Sequence, residues 1–297
     1  MAIKHWISAI RLRTLPLAVA SIGMGSFLAA RDGYFNIIVF SLASLTAISL
    51  QILSNLSNDY GDSVHGADGA KRKGPKRAVQ TGVISQKAMK NAMILFSIIS
   101  LLAGISLLTY SIQSRQEFIF FLGMGIAAII AAITYTSGAF PYGYRGLGDL
   151  FVLIFFGWVA TIGTYYLHAH LFQFNHLLPA TALGFLTVAV INVNNIRDIE
   201  SDKQAGKYSI PVRIGRNHAV TYHWILLIGA LVMAIIYVML KFNGIQQFLF
   251  LLSAPLLYIN GKAVQQKTKA MELDPYLKQM AISTVIFVIT FGIGQII

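Results

Sequence analysis

Long stretches without any charged residue limit the fold of this chain more than any other feature. The hydrocarbon core of a bilayer is crossed by a helix of about 20 apolar residues, and nine stretches approach that length. They cover residues 14–30, 37–56, 91–110, 118–138, 150–167, 177–196, 219–240, 243–261 and 279–297. Because a backbone in lipid must satisfy its own hydrogen bonds, each stretch is expected to be a helix. The sequence therefore predicts an all-α integral membrane protein with about nine transmembrane helices.

Composition supports one transmembrane domain over residues 1–297 rather than several soluble domains. Only 11% of the residues are charged, whereas soluble domains average about 25%. The first apolar stretch follows Arg11 and Arg13 and is as long as a membrane span, so we expect a retained first helix rather than a cleaved signal peptide. The chain has no cysteine, which excludes disulfides, thiolate metal sites and a cysteine nucleophile.

The basic residues predict the orientation in the membrane. If the N-terminus is cytoplasmic, all but three of the 23 Lys and Arg lie on the cytoplasmic side, and the exceptions are Arg31, Arg115 and Lys241. The positive-inside rule then predicts a multi-pass protein of a bacterial cytoplasmic (inner) membrane, with its C-terminus outside. The net charge of +12 is accounted for by topology and by contact with lipid headgroups, and no nucleic-acid partner is expected.

An acidic motif follows the second apolar stretch. It begins at Asn55, continues through Asn58, Asp59 and Asp62, and is followed by Asp68. Asn58 and Asp62 are four residues apart, so they share one face if the helix continues through them. The predicted topology places this motif at the cytoplasmic end of its helix.

A second acidic motif follows the sixth apolar stretch and resembles the first. It contains Asn195, Asp198 and Asp202, and the two aspartates are again four residues apart. Both motif helices are predicted to run from outside to inside, so the two motifs should meet at one membrane surface. A lone acidic cluster at such a surface is usually a solvated loop, but two matching clusters on one side favour a shared site.

The residue types in these motifs predict a magnesium site for a phosphorylated ligand. Carboxylates at a helix C-terminus are unfavourable because that end already carries partial negative charge, so two such ends call for a cation. Carboxylate and amide oxygens without His or Cys suit Mg²⁺, which binds through a few carboxylates together with substrate phosphates.

Basic residues beside each motif extend this prediction. Arg72, Lys73 and Arg77 follow the first motif, and Lys203 and Lys207 follow the second. Cations and Mg²⁺ on both flanks of a diphosphate would stabilise its charge as it leaves. The electrophile left behind in a membrane pocket is best explained by an allylic prenyl chain. The same basic run also serves as a topology signal, and the sequence leaves both roles open.

The chain resembles the UbiA superfamily of intramembrane prenyltransferases, and within it the 1,4-dihydroxy-2-naphthoate polyprenyltransferases. The resemblance runs nearly end to end. It includes the opening stretch from Trp6 to Pro16, both acidic motifs, Tyr135-Thr-Ser-Gly and Gly146-Leu-Gly-Asp149. The six-residue spacing of Asp62 and Asp68 is similar to the naphthoquinone branch, whereas several other members space these acids four apart.

The resemblance implies nine helices around a central cavity and a role for each matching residue. Mg²⁺ would be bound by Asn58, Asp62, Asp68, Asp198 and Asp202. Asp59, Asp62, Asp198 and Asp202 would serve catalysis, with Asp59 either supporting the metal site or acting as a base for the acceptor phenol. Substrate contacts are expected from Asn55, Arg72, Lys73, Arg77, Tyr135, Arg145, Asn195, Lys203 and Lys207.

The resemblance also implies a reaction between polyprenyl diphosphate and an aromatic acid. The prenyl chain would be transferred to 1,4-dihydroxy-2-naphthoate with decarboxylation, giving demethylmenaquinone in menaquinone biosynthesis. Arg145 lies in the short loop 139–149 and is expected to bind the acceptor carboxylate, although it also serves as a topology charge. Another acceptor, such as 4-hydroxybenzoate, homogentisate or haem, or a transporter of anionic lipid precursors, remains an alternative. Prenyl chain length and oligomeric state stay open.

Overall fold

The protein is all-helical over the residues that its computed structural model describes, which are 2–65 and 78–297. In those ranges nine helical segments are long and apolar enough to cross a membrane, which confirms the predicted fold class. The helices are α1 (Ala2–Ile10), α2 (Leu15–Arg31), α3 (Ile37–Val64), α4 (Gln86–Ser111), α5 (Arg115–Thr134), α6 (Gly148–Val152), α7 (Ala160–Ala169), α8 (Leu177–Arg197), α9 (Ile199–Gln204), α10 (Ile210–Leu240), α11 (Ala254–Gln266) and α12 (Ala270–Ile296).

Two of the spans are built from several pieces. The fifth joins α6 to α7 through a π-helical segment, Leu153–Val159, and the eighth joins a 3₁₀ segment, Ile245–Ser253, to α11. Pro255 lies in the first turn of α11, where its missing N–H has no intrahelical partner to lose. A proline inside a predicted span is therefore compatible with the observed structure.

Several helices extend beyond their apolar stretches. α3 ends at Val64 rather than near residue 56, and α12 begins at Ala270 rather than near residue 279. Helical hydrogen bonding does not require apolar side chains, so a helix continues past the lipid core where its polar residues find partners. α10 begins at Ile210, but Gly215 interrupts it with φ 77°, and its regular part starts close to the predicted residue 219.

The N-terminal segment turns sharply before the first long helix. Arg11 adopts a left-handed backbone conformation, with φ 54° and ψ 63°, which is uncommon for a residue other than glycine. This turn separates α1 from α2, and α1 packs against α3 through Trp6, Ala9 and Ile10. Arg11 is thereby placed beside the end of α3, and Arg13 lies near Asp274 of α12.

A cavity of about 380 Å³ lies inside the bundle. It is lined by α2, α3, α4, α5, α7, α8 and the π-helical segment. α8 is the most enclosed span, with 72% of its apolar window buried, whereas α5 has only 6% buried. α5 therefore stands between lipid on one side and the cavity on the other, and α8 anchors the core.

Candidate active site

The polar lining of the cavity is concentrated where the two acidic motifs end their helices. The deeper lining, from α4, α5 and α7, is mainly apolar and includes Leu108, Leu122 and Leu167. The polar side chains at the mouth are Arg11, Arg13, Thr14, Gln51, Ser54, Asn55, Asn58, Tyr135, Tyr142, Asn194 and Lys207. Asn58 and Asn194 come from the two different motifs. The structure thus brings the motifs together at one end of an apolar cavity.

The first motif is buried and is held by the N-terminal segment. Arg11 Nη2 donates to Asn58 Oδ1 at 2.7 Å and to Asp59 Oδ1 at 2.5 Å. Asn55 Nδ2 donates to the Ile10 carbonyl at 2.7 Å, and Tyr144 Oη donates to Asp62 Oδ1 at 2.8 Å. Asp59 and Asp62 are each only 2% exposed. Asp68 lies outside the described residues.

A glycine allows the loop after α5 to approach this motif. A Cβ at Gly61 would clash with the Thr136 carbonyl, so only glycine fits at this contact. The hydroxyls of Thr136 and Ser137 donate to the Ser57 carbonyl at 3.0 and 3.2 Å. These contacts place Tyr135, which precedes them, in the cavity wall beside the first motif.

The second motif is held by an arginine within it. Arg197 donates from Nε to Asp198 Oδ1 at 2.8 Å and from Nη2 to Asp198 Oδ2 at 2.7 Å. Its Nη1 also donates to Asp274 Oδ1, on α12, at 2.5 Å. The regular helix breaks at Asp198, but the Asp202 N–H still donates to the Asp198 carbonyl at 2.8 Å. The predicted four-residue spacing of Asp198 and Asp202 on one face is therefore kept across the break.

Asp202 of the second motif is buried beside a lysine. It is 5% exposed, and its Oδ2 lies 3.5 Å from Lys207 Nζ. Burial raises the pKa of Asp202 to about 6, and the charges of Asp198 and Asp62 add to the rise while Lys207 opposes it. The Lys207 ammonium and the Asp202 carboxylate therefore form a buried pair.

Among the residues that the structure describes, two buried oxygens of the second motif accept no hydrogen bond, although one of them lies 3.5 Å from Lys207 Nζ. They are Asn195 Oδ1 and Asp202 Oδ2, and an unsatisfied buried acceptor costs about 1–3 kcal/mol. Oxygen atoms of this kind suit a hard cation such as Mg²⁺. Within residues 2–65 and 78–297, no three His, Cys, Asp or Glu side chains form a ready-made metal cluster. The donor types of the described residues nevertheless fit Mg²⁺, because each motif supplies buried amide and carboxylate oxygens, and Asn58 and Asn194 of the two motifs both line the cavity.

The basic residues predicted from the sequence to contact substrate differ in whether they line the cavity. Lys207 is 5% exposed and lines the cavity. Lys203 is exposed, and Arg145 is exposed with its guanidinium 4.9 Å from the centre of the Phe140 ring. Neither of these two lines the cavity. Arg72, Lys73 and Arg77 lie outside the described residues.

Several residues at the mouth were not assigned to the site from the sequence. Arg11, Arg13, Tyr144, Arg197 and Asp274 all contact residues of the two motifs or their partners. The pair Arg11 and Arg13 was interpreted only as a topology signal. The sequence signal that could have identified Arg197 is its position between Asn195 and Asp198, inside the motif itself.

The fold and the site together indicate an intramembrane enzyme. Polar residues of both motifs lie at one end of an apolar cavity inside its helices. A sequence model of the UbiA prenyltransferase family matches residues 17–293, and the chain belongs to that family. It is 43% identical to the 1,4-dihydroxy-2-naphthoate octaprenyltransferase of Escherichia coli K12, over 98% of this chain and 94% of the relative. It is 42% identical to the Haemophilus influenzae protein of the same name, over 99% of this chain and 96% of the relative.

Solved structures of the family share the fold. A UbiA homologue from Aeropyrum pernix superposes with a TM-score of 0.69 at 17% identity, covering 95% of this chain and 97% of the other. A UbiA homologue from Archaeoglobus fulgidus, solved with GPP and Mg²⁺, superposes with a TM-score of 0.62 at 18% identity, covering 96% and 98%. These likenesses show that the chain shares its fold with solved UbiA homologues.

Proposed function

We propose that this protein transfers a polyprenyl chain from polyprenyl diphosphate to 1,4-dihydroxy-2-naphthoate, with loss of CO₂, in menaquinone biosynthesis. The observation that carries the proposal is that Asn58 and Asn194, from the two acidic motifs, and the buried Lys207, which pairs with Asp202, line one apolar cavity. The relatives with 43% and 42% identity, which bear this activity in their names, support the choice of acceptor.

The diphosphate would lie at the mouth and the prenyl tail in the cavity. The lining supplies apolar surface of the kind that favours burial of a hydrocarbon chain. Lys207 is buried and lines the cavity, so its ammonium stabilises the anionic diphosphate in a site with little competing water. The basic run 71–77 contributes further cations in the proposal, although it lies outside the described residues.

Mg²⁺ would be held by Asn58, Asp62, Asp198 and Asp202, together with Asp68. When bound, Mg²⁺ draws negative charge from the diphosphate and makes it a better leaving group. Asn58 already shares its Oδ1 with Arg11, and Asp198 has both oxygens on Arg197. Those two arginines therefore orient their partners, while Asn195 and Asp202 offer oxygens that lack donors.

The bonds formed and broken in this reaction account for all the electrons, so no added oxidant is needed. The C–O bond of the prenyl diphosphate breaks, and its electron pair leaves with the diphosphate. The electron-rich ring attacks the allylic cation to form a C–C bond, and loss of the carboxylate as CO₂ returns an electron pair to the ring. The product leaves at the hydroquinone level, as demethylmenaquinol. The residues at the mouth bind and orient both reactants, and the apolar wall excludes water that would capture the cation.

Asp59 has a supporting role in this proposal. Its carboxylate accepts from Arg11 at 2.5 Å and is 2% exposed. This pairing fixes Arg11 at the end of α3. We therefore assign Asp59 a positioning role beside the metal site, rather than proton abstraction from the acceptor.

The proposed setting is the cytoplasmic membrane of a bacterium, with the N-terminus and the active-site mouth on the cytoplasmic side. In the described ranges, nine helical segments are long and apolar enough to cross a membrane, which supports a multi-pass membrane protein. The distribution of Lys and Arg supports the orientation.

The test uses the purified full-length protein in detergent with Mg²⁺ and octaprenyl diphosphate. We expect mass spectrometry to detect prenylated, decarboxylated product from 1,4-dihydroxy-2-naphthoate. Product from 4-hydroxybenzoate or homogentisate alone would reject the proposed acceptor and keep the prenyltransferase activity. Absence of product from all three acceptors, with protein shown to be folded, would reject the proposed reaction.

A further inference from the structure

We infer that Arg13 binds the carboxylate of the aromatic acid and so selects the acceptor. This inference rests on the proposed function. Among the described Lys and Arg residues, the ones that line the cavity are Arg11, Arg13 and Lys207. Arg145, the residue that the sequence favoured for this role, is exposed and stacks over Phe140.

The three basic side chains differ in their distances to acidic and amide partners. Arg11 donates to Asn58 and Asp59 at 2.7 and 2.5 Å, and Lys207 lies 3.5 Å from Asp202. Arg13 Nη1 lies 3.6 Å from Asp274 Oδ1, which is beyond hydrogen-bond distance. The same Asp274 oxygen already accepts from Arg197 Nη1 at 2.5 Å. Asp274 therefore interacts only weakly with Arg13. The planar guanidinium of Arg13 can pair with the carboxylate of a ligand instead.

The position of Arg13 favours the acceptor over the diphosphate. Asp62 accepts a hydrogen bond from Tyr144, and Asp202 lies 3.5 Å from Lys207. The acidic neighbour of Arg13 is instead Asp274, which belongs to α12 and not to either motif. Thr14 and the apolar Leu17 and Leu277 also line the cavity. A carboxylate on Arg13, with an aromatic ring against apolar side chains, matches this part better than a metal-bound diphosphate does.

Arginine also suits this ligand chemically. Its guanidinium presents parallel donors that match a carboxylate bidentately, which lysine cannot reproduce. The Arg13 side chain is 32% exposed, so it is accessible from the mouth and partly removed from water. Without such a contact, Arg13 would act only as a topology charge or as a minor partner of Asp274.

The test compares two ligands that differ by the carboxylate. Binding of 1,4-dihydroxy-2-naphthoate and of 1,4-dihydroxynaphthalene is measured under reducing conditions, by quenching of intrinsic fluorescence, for wild type, Arg13→Ala and Arg13→Lys. We expect Arg13→Ala to weaken the naphthoate by about 10- to 150-fold, the range for a charge-assisted hydrogen bond. We expect the carboxylate-free ligand to change by less than about threefold, and Arg13→Lys to recover part of the loss.

Kinetics and controls separate this role from the alternatives. KM for octaprenyl diphosphate should stay within about threefold in Arg13→Ala while KM for the naphthoate rises. Arg115→Ala, at the exposed start of α5, is the matched control and should change neither constant. Arg145→Ala tests the rival position.

Four outcomes would overturn the inference. Equal losses for both aromatic ligands would indicate a structural role, and a loss confined to the diphosphate would place Arg13 in the phosphate site. Unchanged naphthoate binding in Arg13→Ala and Arg13→Lys, or a loss seen only in Arg145→Ala, would also reject it. If Arg13→Ala fails to fold, Arg13→Lys provides the test. Wild-type affinity of Arg13→Lys for the naphthoate would contradict bidentate recognition of the carboxylate by the guanidinium. Failure of the proposed function is distinct, since the wild type itself would then not turn over this acceptor.

Discussion

Arg197 holds both carboxylate oxygens of Asp198, the residue that follows it in the chain. The two hydrogen bonds are 2.8 and 2.7 Å long, and the side chains of both residues are at least 95% buried. The same guanidinium reaches Asp274 on α12. One arginine therefore ties the second acidic motif to the last helix.

Removal of this arginine should destabilise the protein. Arg197→Gln leaves the buried Asp198 without its cation, and breaking a buried ion pair costs about 3–5 kcal/mol. We expect a clear drop in Tm, measured by thermal unfolding in detergent. Arg115→Gln, at an exposed position, should leave Tm unchanged. An unchanged Tm in Arg197→Gln would show that the pair contributes little to stability.

The metal prediction concerns the two acidic motifs. Asp62→Asn or Asp198→Asn should each abolish most prenyl transfer, because each removes a charge from the proposed Mg²⁺ site. EDTA should have the same effect on wild type, and added Mg²⁺ should restore activity. Glu272→Gln, at a side chain 41% exposed, is the control and should stay active. Full turnover in EDTA would contradict metal-assisted departure of the diphosphate.

The cavity prediction concerns the prenyl chain. Gly125 lines the cavity, and a Cβ there would meet nothing within 4 Å. Gly125→Leu should therefore occupy tail space and shift the preferred substrate to a shorter prenyl diphosphate. Competition between diphosphates of different length, analysed by mass spectrometry, measures this shift. Gly123→Leu is a matched control on the same helix, because Gly123 also has open space but does not line the cavity. Equal profiles for both variants and wild type would place the tail elsewhere.

The topology prediction concerns the two sides of the membrane. A reporter fused after Ile297 should be outside the cytoplasm, and one inserted between α3 and α4 should be inside. Enzymatic reporters active on only one side of the membrane make the measurement. Detection of both reporters on the same side would mean that the number of spans is wrong.

The sequence by itself determined the membrane architecture and the chemical character of the site. Nine apolar stretches were predicted and nine spans are observed over the described residues, because span length and hydropathy are local properties set by the thickness of the bilayer. The two acidic motifs could also be predicted to meet, since each ends a helix that runs in the same direction. Each motif carries its carboxylate and amide side chains, at a fixed spacing, within a few residues of sequence.

Only the tertiary structure decided which side chains pair and which line the cavity. Arg11 and Arg13 looked like topology charges, but after the left-handed turn at Arg11 both line the cavity, with Arg11 on the first motif and Arg13 beside Asp274. Arg145 looked like an acceptor contact, but its side chain lies over Phe140 outside the cavity. Asp274 and Arg197 are 77 residues apart and are joined by a hydrogen bond. The physical reason is that such pairings depend on how helices pack and on side-chain direction, whereas the hydropathy of one segment carries no information about its distant partners.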